Sequence, residues 1–299
     1  MQLLAPSALF ASVVAGTPAP APSLRLINQT LYPHARCLDG SAPAYYWRDG
    51  RGARGAKSLV LFLEGGGWCY PSDIQQPCEP KSSHCGANCH IRAAMGGGSS
   101  ASYAPSVPAT AFEGGTGIIS GDPALTGFAD FAVAYVKYCD GGSFSGTMTV
   151  PDVALNETGP LYYAGKVRAL PHVAAPALAP AHSPAGCAAA TPKYNLDAVM
   201  AELVAAHGVG GYERVVLSGC SAGGMSCYLH CDRVAAAFKA AAAPHDIDVR
   251  CICDAGMFID VPTVTGAGNV MRTRFFDLAD KMGTKESLNP KCVAAEPDW

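Results

Sequence analysis

The feature that most constrains the fold of this chain is a glycine-rich turn between a predicted strand and a predicted helix. Residues 213–217, ERVVL, have the apolar character of a short strand, and residues 222 to about 238 have the pattern of a helix. Between them the sequence GCSAG (219–223) fits the pattern G-x-S-x-G. A sharp turn from strand to helix crowds the backbone around a central serine, so its neighbours must be small. The pattern predicts an exposed Ser221 hydroxyl at a helix N-terminus, and an ordinary glycine-rich turn is the alternative.

Other segments indicate that this turn belongs to an α/β fold. Further strands are predicted at residues 44–48, 58–64, 131–138 and 249–253. The run SLVLFLE (58–64) is apolar almost throughout, as expected for a strand that is buried on both faces. A helix is predicted to begin at an N-cap Asn195 and to end at Gly208. Strands that alternate with helices favour a mostly parallel central sheet flanked by helices.

A second glycine run, at residues 65–67, directly follows the strand at 58–64. Glycine allows backbone N–H groups to approach a reacting carbonyl closely, and esterases of the α/β-hydrolase type build half of an oxyanion hole at this position. The backbone N–H of Ala222 can face the same oxyanion from the helix N-terminus. A tight turn is the alternative interpretation. Trp68, which borders the run, is predicted to be either a pocket wall or a core residue.

Four blocks of the sequence resemble the pectin acetylesterase family, which also contains the carboxylesterase Notum. The blocks are LFLEGGGWC (61–69), YVKYCDGGSFSG (135–146), LSGCSAGGM (217–225) and CDAGMFIDV (253–261). They occur in the order of the family, and the resemblance covers roughly residues 31–299. It implies an α/β-hydrolase-like fold and the hydrolysis of an ester, with acetyl groups on pectin as the plant-type substrate. Plant-type members are the more similar ones, because they have a cysteine directly before the serine, as this chain does at Cys220.

By this resemblance Ser221 is the nucleophile, and Gly66, Gly67 and Ala222 supply the N–H groups of the oxyanion hole. Asp140 is expected near the site without a chemical role. The resemblance also implies that Asp254 and Asp260 belong to a structural block rather than to a catalytic triad.

A serine nucleophile needs a base, and the base needs an orienting carboxylate, in the chain order Ser, Asp, His for this fold. Two histidines follow Ser221. His230 lies more than two turns along the helix that Ser221 opens, so it cannot reach back. His245 stands in a polar connection and is expected to be a solvated loop residue. We therefore expect a family member truncated at its C-terminus, without the Asp and His of the triad and with little esterase activity.

The chain has 13 cysteines, a number that favours an oxidising compartment and leaves one thiol over if the others pair. Residues 1–22 are predicted to be a signal peptide followed by a Pro/Ala linker, and a disordered apolar tail is the alternative. Residues 23–299 would then form an esterase domain that carries a low-complexity insertion at 169–192. Sequons at Asn28 and Asn156 fit secretion to the cell wall. Residues 69–105, rich in Cys, Gly and Ser, are expected to be a surface excursion pinned by disulfides.

Composition excludes several classes of function. A net charge of −3 with 15% charged residues gives no footprint for nucleic acid, and no apolar run is long enough to span a membrane. A cluster of Cys and His side chains could suggest zinc, but its spacing lacks paired C-x2-C units, so disulfides are preferred; the cluster is Cys78, His84, Cys85, Cys89 and His90. No metal or cofactor is implied, and the expected partner is acetylated pectin, bound by a monomer.

Two other functions remain open at this point. The first is a Notum-like esterase that removes a fatty acyl group from a protein and needs a deep apolar pocket. The second is an inactive remnant that binds glycan, because the base is missing.

Overall fold

The computed structural model describes residues 21–69, 87–108, 117–147, 161–162, 194–264, 266 and 268–295. They form a six-stranded sheet with the strand order β1-β2-β4-β3-β5-β6. The first two strands run antiparallel to their neighbours, and the pairs β4–β3, β3–β5 and β5–β6 are parallel. The strands are β1 (Ser23–Leu26), β2 (Ala44–Arg48), β3 (Ser58–Leu63), β4 (Ala132–Val136), β5 (Arg214–Cys220) and β6 (Asp248–Asp254).

Helices flank this sheet, as the sequence predicts. They are α1 (Gly52–Gly55), α2 (Ala87–Ala94), α3 (Tyr194–His207), α4 (Ala222–Ala242), α5 (Val270–Met282) and α6 (Pro290–Ala295). In the part of the chain that the structure describes, no helix is long and apolar enough to cross a membrane.

The centre of the sheet explains why its strands are apolar on both faces. All six residues of β3 are buried. Leu59, Leu61 and Leu63 pack into the core on one side of the sheet, and Val60 and Phe62 pack into a separate cluster on the other. A strand with core on both sides cannot show the alternation of a half-exposed strand. The five predicted strands are confirmed as β2 to β6, with ends that differ by up to three residues.

The predicted N-cap at Asn195 is wrong. The helix already includes Tyr194, and the Asn195 side chain is turned away from the helix backbone. Its Oδ1 accepts from the N–H of Arg36 at 2.9 Å, and its Nδ2 donates to the Arg36 carbonyl at 3.0 Å. The amide therefore bridges α3 to a distant loop, because its two polar groups match both groups of one peptide residue.

Four disulfides join described residues, namely Cys37–Cys139, Cys69–Cys89, Cys227–Cys253 and Cys231–Cys251. Cys220 and Cys292 are free thiols. Of the possible zinc cluster, Cys89 is in a disulfide, and the side chains of the other four members lie outside the description. The bond from Cys69 to Cys89 fits the expected pinning of residues 69–105, and α2 within that segment was not predicted.

The predicted leader at 1–22 falls almost entirely outside the described residues, as does the insertion at 169–192. Both stay predictions.

Candidate active site

Ser221 occupies the turn between β5 and α4, a segment that we call the serine turn (residues 219–224). Its backbone has φ 57° and ψ −120°, a conformation that non-glycine residues rarely adopt. Such a residue typically costs about 1–3 kcal/mol and persists only where its surroundings enforce it. The Ser221 carbonyl accepts from the Met225 N–H at 2.9 Å, so the helix starts immediately after the strained residue.

The glycines of the serine turn are required by close backbone contacts. A Cβ atom on Gly223 would collide with the carbonyl oxygen of Leu63 at the end of β3. A Cβ on Gly219 would collide with the Gly223 carbonyl, and a Cβ on Gly224 with the carbonyl of Asp254. Ala222, the remaining small residue, is fully buried. These contacts give a physical reason for the G-x-S-x-G pattern.

The end of β6 supports the turn from one side. The Ser221 N–H donates to the Asp254 carbonyl at 3.2 Å, and Cys220 lies opposite Asp254 in the sheet register. The pKa of the Cys220 thiol is raised by partial burial and also by the Asp254 carboxylate, to which it is hydrogen-bonded. The Asp254 side chain therefore interacts with Cys220 on the strand, and its structural role stays a prediction.

The glycine run at residues 65–67, which we call the glycine loop, lies against the serine turn. A Cβ on Gly65 would collide with the Cys220 carbonyl and would lie 3.1 Å from Ser221 Cβ. Gly66 and Gly67 both have positive φ, at 138° and 72°. Apart from its chain neighbours, no atom of the described residues lies within 4 Å of the position that a Gly67 Cβ would occupy. The structure thus places Gly65, the first residue of the glycine loop, directly against Cys220 and Ser221, and Gly66 and Gly67 follow it in the chain.

Ser143 connects the two glycine-rich segments. Its hydroxyl donates to the Ala222 carbonyl at 2.8 Å and accepts from Trp68 Nε1 at 2.7 Å. The Trp68 ring also packs edge-on against Phe258 and Phe275, with centroids 4.7 and 5.0 Å away. Trp68 is therefore part of an aromatic cluster, and its indole N–H ties the glycine loop to the start of α4.

Asp140 lies in the same loop as Ser143 and is fully buried. Burial raises the pKa of its carboxyl to about 6, against the opposing effects of the Phe144 backbone N–H and the Arg92 guanidinium. Among the described residues no hydrogen bond joins Asp140 to Ser221, and the expectation of no chemical role stays a prediction.

The structure describes four histidine side chains, those of His34, His207, His230 and His245. His230 is buried, with Nε2 2.9 Å from Ser145 Oγ and 3.1 Å from the Phe144 carbonyl. His245 is exposed just before β6, at the end of the sheet opposite to Ser221. Both predictions about these residues are confirmed. No described side chain is hydrogen-bonded to Ser221 Oγ, and Asp260 is in an ion pair with Arg272.

An apolar cavity of about 260 Å³ lies beside the serine turn. Its walls include Ser143 and Met225, which contact the turn, and the aromatic rings of Phe258 and Phe275. Leu229, Leu278 and Leu288 also line it. Apart from two serines and a threonine, the described residues contribute no polar side chain to the lining, so the cavity suits a hydrocarbon group.

Comparison with known proteins assigns the chain to a family. A family model described as Pectinacetylesterase matches residues 18–173 and 193–298. The chain belongs to the pectinacetylesterase family. Pectin acetylesterase 5 of Arabidopsis thaliana is 31% identical over 261 residues, which cover 87% of this chain and 48% of that relative. Pectin acetylesterase 4 of the same plant is 29% identical over 272 residues, covering 91% and 52%. The chain spans about half the length of the curated relatives it matches.

The fold of this pectinacetylesterase-family chain is shared with a solved structure. The Wnt deacylase Notum from Drosophila superposes with a TM-score of 0.62 at 22% identity, covering 93% of this chain and 65% of that chain. This similarity shows a Notum-like fold, and the predicted α/β-hydrolase-like class with its mostly parallel sheet is confirmed.

Sequence reasoning missed two contacts at the site of this family member. Ser143 stands in the GGSFSG stretch, where a turn is the ordinary interpretation, and Arg92 falls in a segment that was expected to be irregular. Only the fold brings these residues to the serine turn and the glycine loop, which are distant from them in sequence.

Proposed function

We propose that the chain carries the nucleophile and the oxyanion-stabilising loop of a secreted serine esterase that hydrolyses acetyl esters of pectin. The observation that carries this proposal is the strained Ser221 backbone at the start of α4, directly against the glycine loop. Membership of the pectinacetylesterase family and the names of the plant relatives support the choice of substrate. The four disulfides support secretion to the cell wall. We also propose that the protein acts as a monomer.

The proposed reaction uses Ser221 as the nucleophile and three backbone N–H groups as hydrogen-bond donors. Ser221 Oγ attacks the acetyl carbonyl carbon, and the electron pair of the carbonyl moves to its oxygen. The N–H groups of Gly66, Gly67 and Ala222 stabilise the resulting oxyanion, as in other acyl-transfer sites. Collapse of this intermediate expels the sugar oxygen, which takes up a proton and leaves as a hydroxyl, and acetyl-Ser221 remains. Water then releases acetate.

A general base has to accept the Ser221 proton and deliver it to the leaving sugar oxygen. None of the described histidines is hydrogen-bonded to Ser221. Loss of one triad member leaves about 10³–10⁴-fold catalysis over water, through the oxyanion hole and binding alone. The described residues therefore account for slow turnover only, which should be measurable with an activated ester.

The first test measures the rate of p-nitrophenyl acetate hydrolysis and detects the acetylated protein by mass spectrometry. Ser221→Ala should abolish both the protein-dependent rate and the acetyl adduct. Ser226→Ala is a matched control, because Ser226 is a buried serine in α4 whose hydroxyl has no hydrogen-bond partner among the described residues. A rate that survives in Ser221→Ala, or an adduct on another residue, contradicts the proposal. A wild-type chain without either signal favours the inactive, glycan-binding alternative.

A second candidate function is hydrolysis of a longer acyl ester, favoured by the apolar cavity of about 260 Å³ beside the serine turn. An acetyl group fills only a small part of such a volume. A series of p-nitrophenyl acetate, butyrate and octanoate separates the two candidates. Rates that fall with chain length favour an acetylesterase, and rates that rise favour a lipid deacylase.

A further inference from the structure

The peptide between Gly66 and Gly67 is held in one orientation by a charged side chain. The carbonyl of Gly66 and the N–H of Gly67 belong to the same planar trans unit, so they point in opposite directions. Arg92 Nη1 donates to the Gly66 carbonyl oxygen at 2.6 Å. Both flanking residues are glycines, which tolerate many backbone conformations and so do little to fix this peptide themselves. Arg92 therefore fixes the direction of the Gly67 N–H by holding the carbonyl on the opposite side of the same peptide.

We propose that Arg92 is a positioning residue for the oxyanion hole, one that orients the Gly67 N–H and strengthens it as a hydrogen-bond donor. This inference rests on the proposed function, in which that N–H stabilises the oxyanion. A charge-assisted bond to a carbonyl oxygen polarises the whole amide, because neighbouring hydrogen bonds in a chain reinforce each other. The amide nitrogen loses electron density, and its N–H becomes the better donor.

The packing around Arg92 keeps the guanidinium behind the glycine loop. Its central carbon lies 4.6 Å from the centroid of the Tyr138 ring, at a distance typical of a cation–π contact. A Cβ on Gly97 would lie 3.2 Å from Arg92 Cγ, so the stem of the side chain packs closely on that glycine. Cys89 lies one turn before Arg92 in α2. Its disulfide with Cys69 joins this helix to the chain two residues beyond the glycine loop.

The charge of Arg92 is not neutralised by an ion pair within the described ranges, where its polar contact is the Gly66 carbonyl. The positive charge of Arg92 also acts on the buried Asp140 carboxyl, where it opposes the rise of the Asp140 pKa that burial causes. Because none of the described carboxylates forms an ion pair with the half-buried Arg92, its charge can polarise the Gly66–Gly67 peptide.

The test compares Arg92→Met and Arg92→Lys with a matched control, Arg54→Met. Arg54 also stacks on an aromatic ring, with its guanidinium carbon 4.9 Å from the Phe131 centroid, and also donates to a backbone carbonyl, that of Gly127. It lies before β3, at the end of the sheet opposite to the glycine loop. Removal of one oxyanion-hole donor costs about 10²–10³-fold in kcat, so misorientation of one should cost about tenfold to a hundredfold.

We expect Arg92→Met to lower the Ser221-dependent kcat for p-nitrophenyl acetate by about tenfold to a hundredfold, with KM within about twofold of wild type. Arg92→Lys should recover part of this loss, and Arg54→Met should leave kcat unchanged. In protein labelled with ¹³C-carbonyl glycine, the Gly66 resonance should shift in Arg92→Met and remain in place in Arg54→Met. This spectroscopic signal reports the hydrogen bond without requiring turnover.

Two results overturn the inference alone. One is an unchanged kcat in Arg92→Met while hydrolysis still depends on Ser221. The other is a fall in kcat that a higher KM and a lower unfolding temperature accompany, with the Gly66 resonance unmoved, because this pattern indicates a merely structural role. A wild-type chain without Ser221-dependent hydrolysis overturns the proposed function, and the inference falls with it.

Discussion

The substitution Gly223→Ala tests the physical basis of the serine turn. The added methyl group would collide with the Leu63 carbonyl oxygen and would come within 2.7 Å of the Glu64 carbonyl oxygen. Both oxygens belong to backbone at the end of β3, the buried centre of the sheet. Because backbone at that position cannot rotate out of the way as a side chain can, the start of α4 has to move away by roughly 1 Å.

Two opposing effects set the size of the change in stability. Alanine in a helix is better than glycine by about 0.5–1 kcal/mol. Overpacking in a well-packed core costs about 1–3 kcal/mol and occasionally more, and contact with fixed backbone belongs at the upper end. We expect a net loss of about 2 kcal/mol in the free energy of unfolding. The movement also displaces Ser221 from the glycine loop, and a misplacement of about 1 Å can lower kcat by about 10²-fold.

The assay is urea unfolding with the disulfides intact, combined with the rate of Ser221 acylation by p-nitrophenyl acetate. Gly211→Ala is the matched control, because apart from its chain neighbours no atom of the described residues lies within 4 Å of its Cβ position and its φ is not positive. This control should be neutral or stabilising by about 0.4–1 kcal/mol. If Gly223→Ala matches Gly211→Ala in stability and wild type in acylation, the steric explanation of the G-x-S-x-G pattern is wrong.

Three further predictions concern stability. Asn195→Ala removes both hydrogen bonds to Arg36 and should lower the free energy of unfolding by about 2–4 kcal/mol, measured in urea; an unchanged midpoint would contradict the bridging role. Burial raises the Asp140 pKa to about 6 from 3.8, so this group contributes stability below pH 4 that is lost as the pH rises through 6; Asp140→Asn should flatten stability over that window, and a slope equal to wild type would refute this. Replacing Cys231 and Cys251 by serine removes the inner of two nested crosslinks while Cys227–Cys253 still closes the segment, so it should cost roughly 2 kcal/mol in the free energy of unfolding, measured by thermal unfolding, whereas a shift near zero would show that the crosslink constrains little.

The central elements of the fold could be predicted from the sequence because their signals are local. A strand with core on both faces, such as β3, must be apolar throughout, and the clashes at Gly219 and Gly223 require small residues wherever such a turn occurs. The edge strand β1 was missed, since its four residues are only half-buried or exposed and carry no run of apolar side chains.

The missed features depend on contacts between residues that are far apart in sequence. Asn195 has the residue type of a cap, but its amide matches the backbone of Arg36, 159 positions away. Arg92 reaches Gly66 across 26 positions, and Ser143 reaches Ala222 across 79. A local pattern carries information on which turn can form, but not on which side chain will come to support it.

The two disulfides between α4 and β6 have a consequence for how samples are handled. Cys227 and Cys231 are one helical turn apart, and they bind Cys253 and Cys251, which lie on one face of β6. In the described sheet β6 has a neighbouring strand on one side only, and its last carbonyl holds the Ser221 N–H. The two disulfides therefore add covalent bonds to the contacts that keep this strand attached. The backbone conformation of Ser221 therefore depends on whether these two disulfides stay oxidised during purification. We expect a thiol reductant in the lysis buffer to loosen β6 next to Ser221, while the buried central strands remain folded.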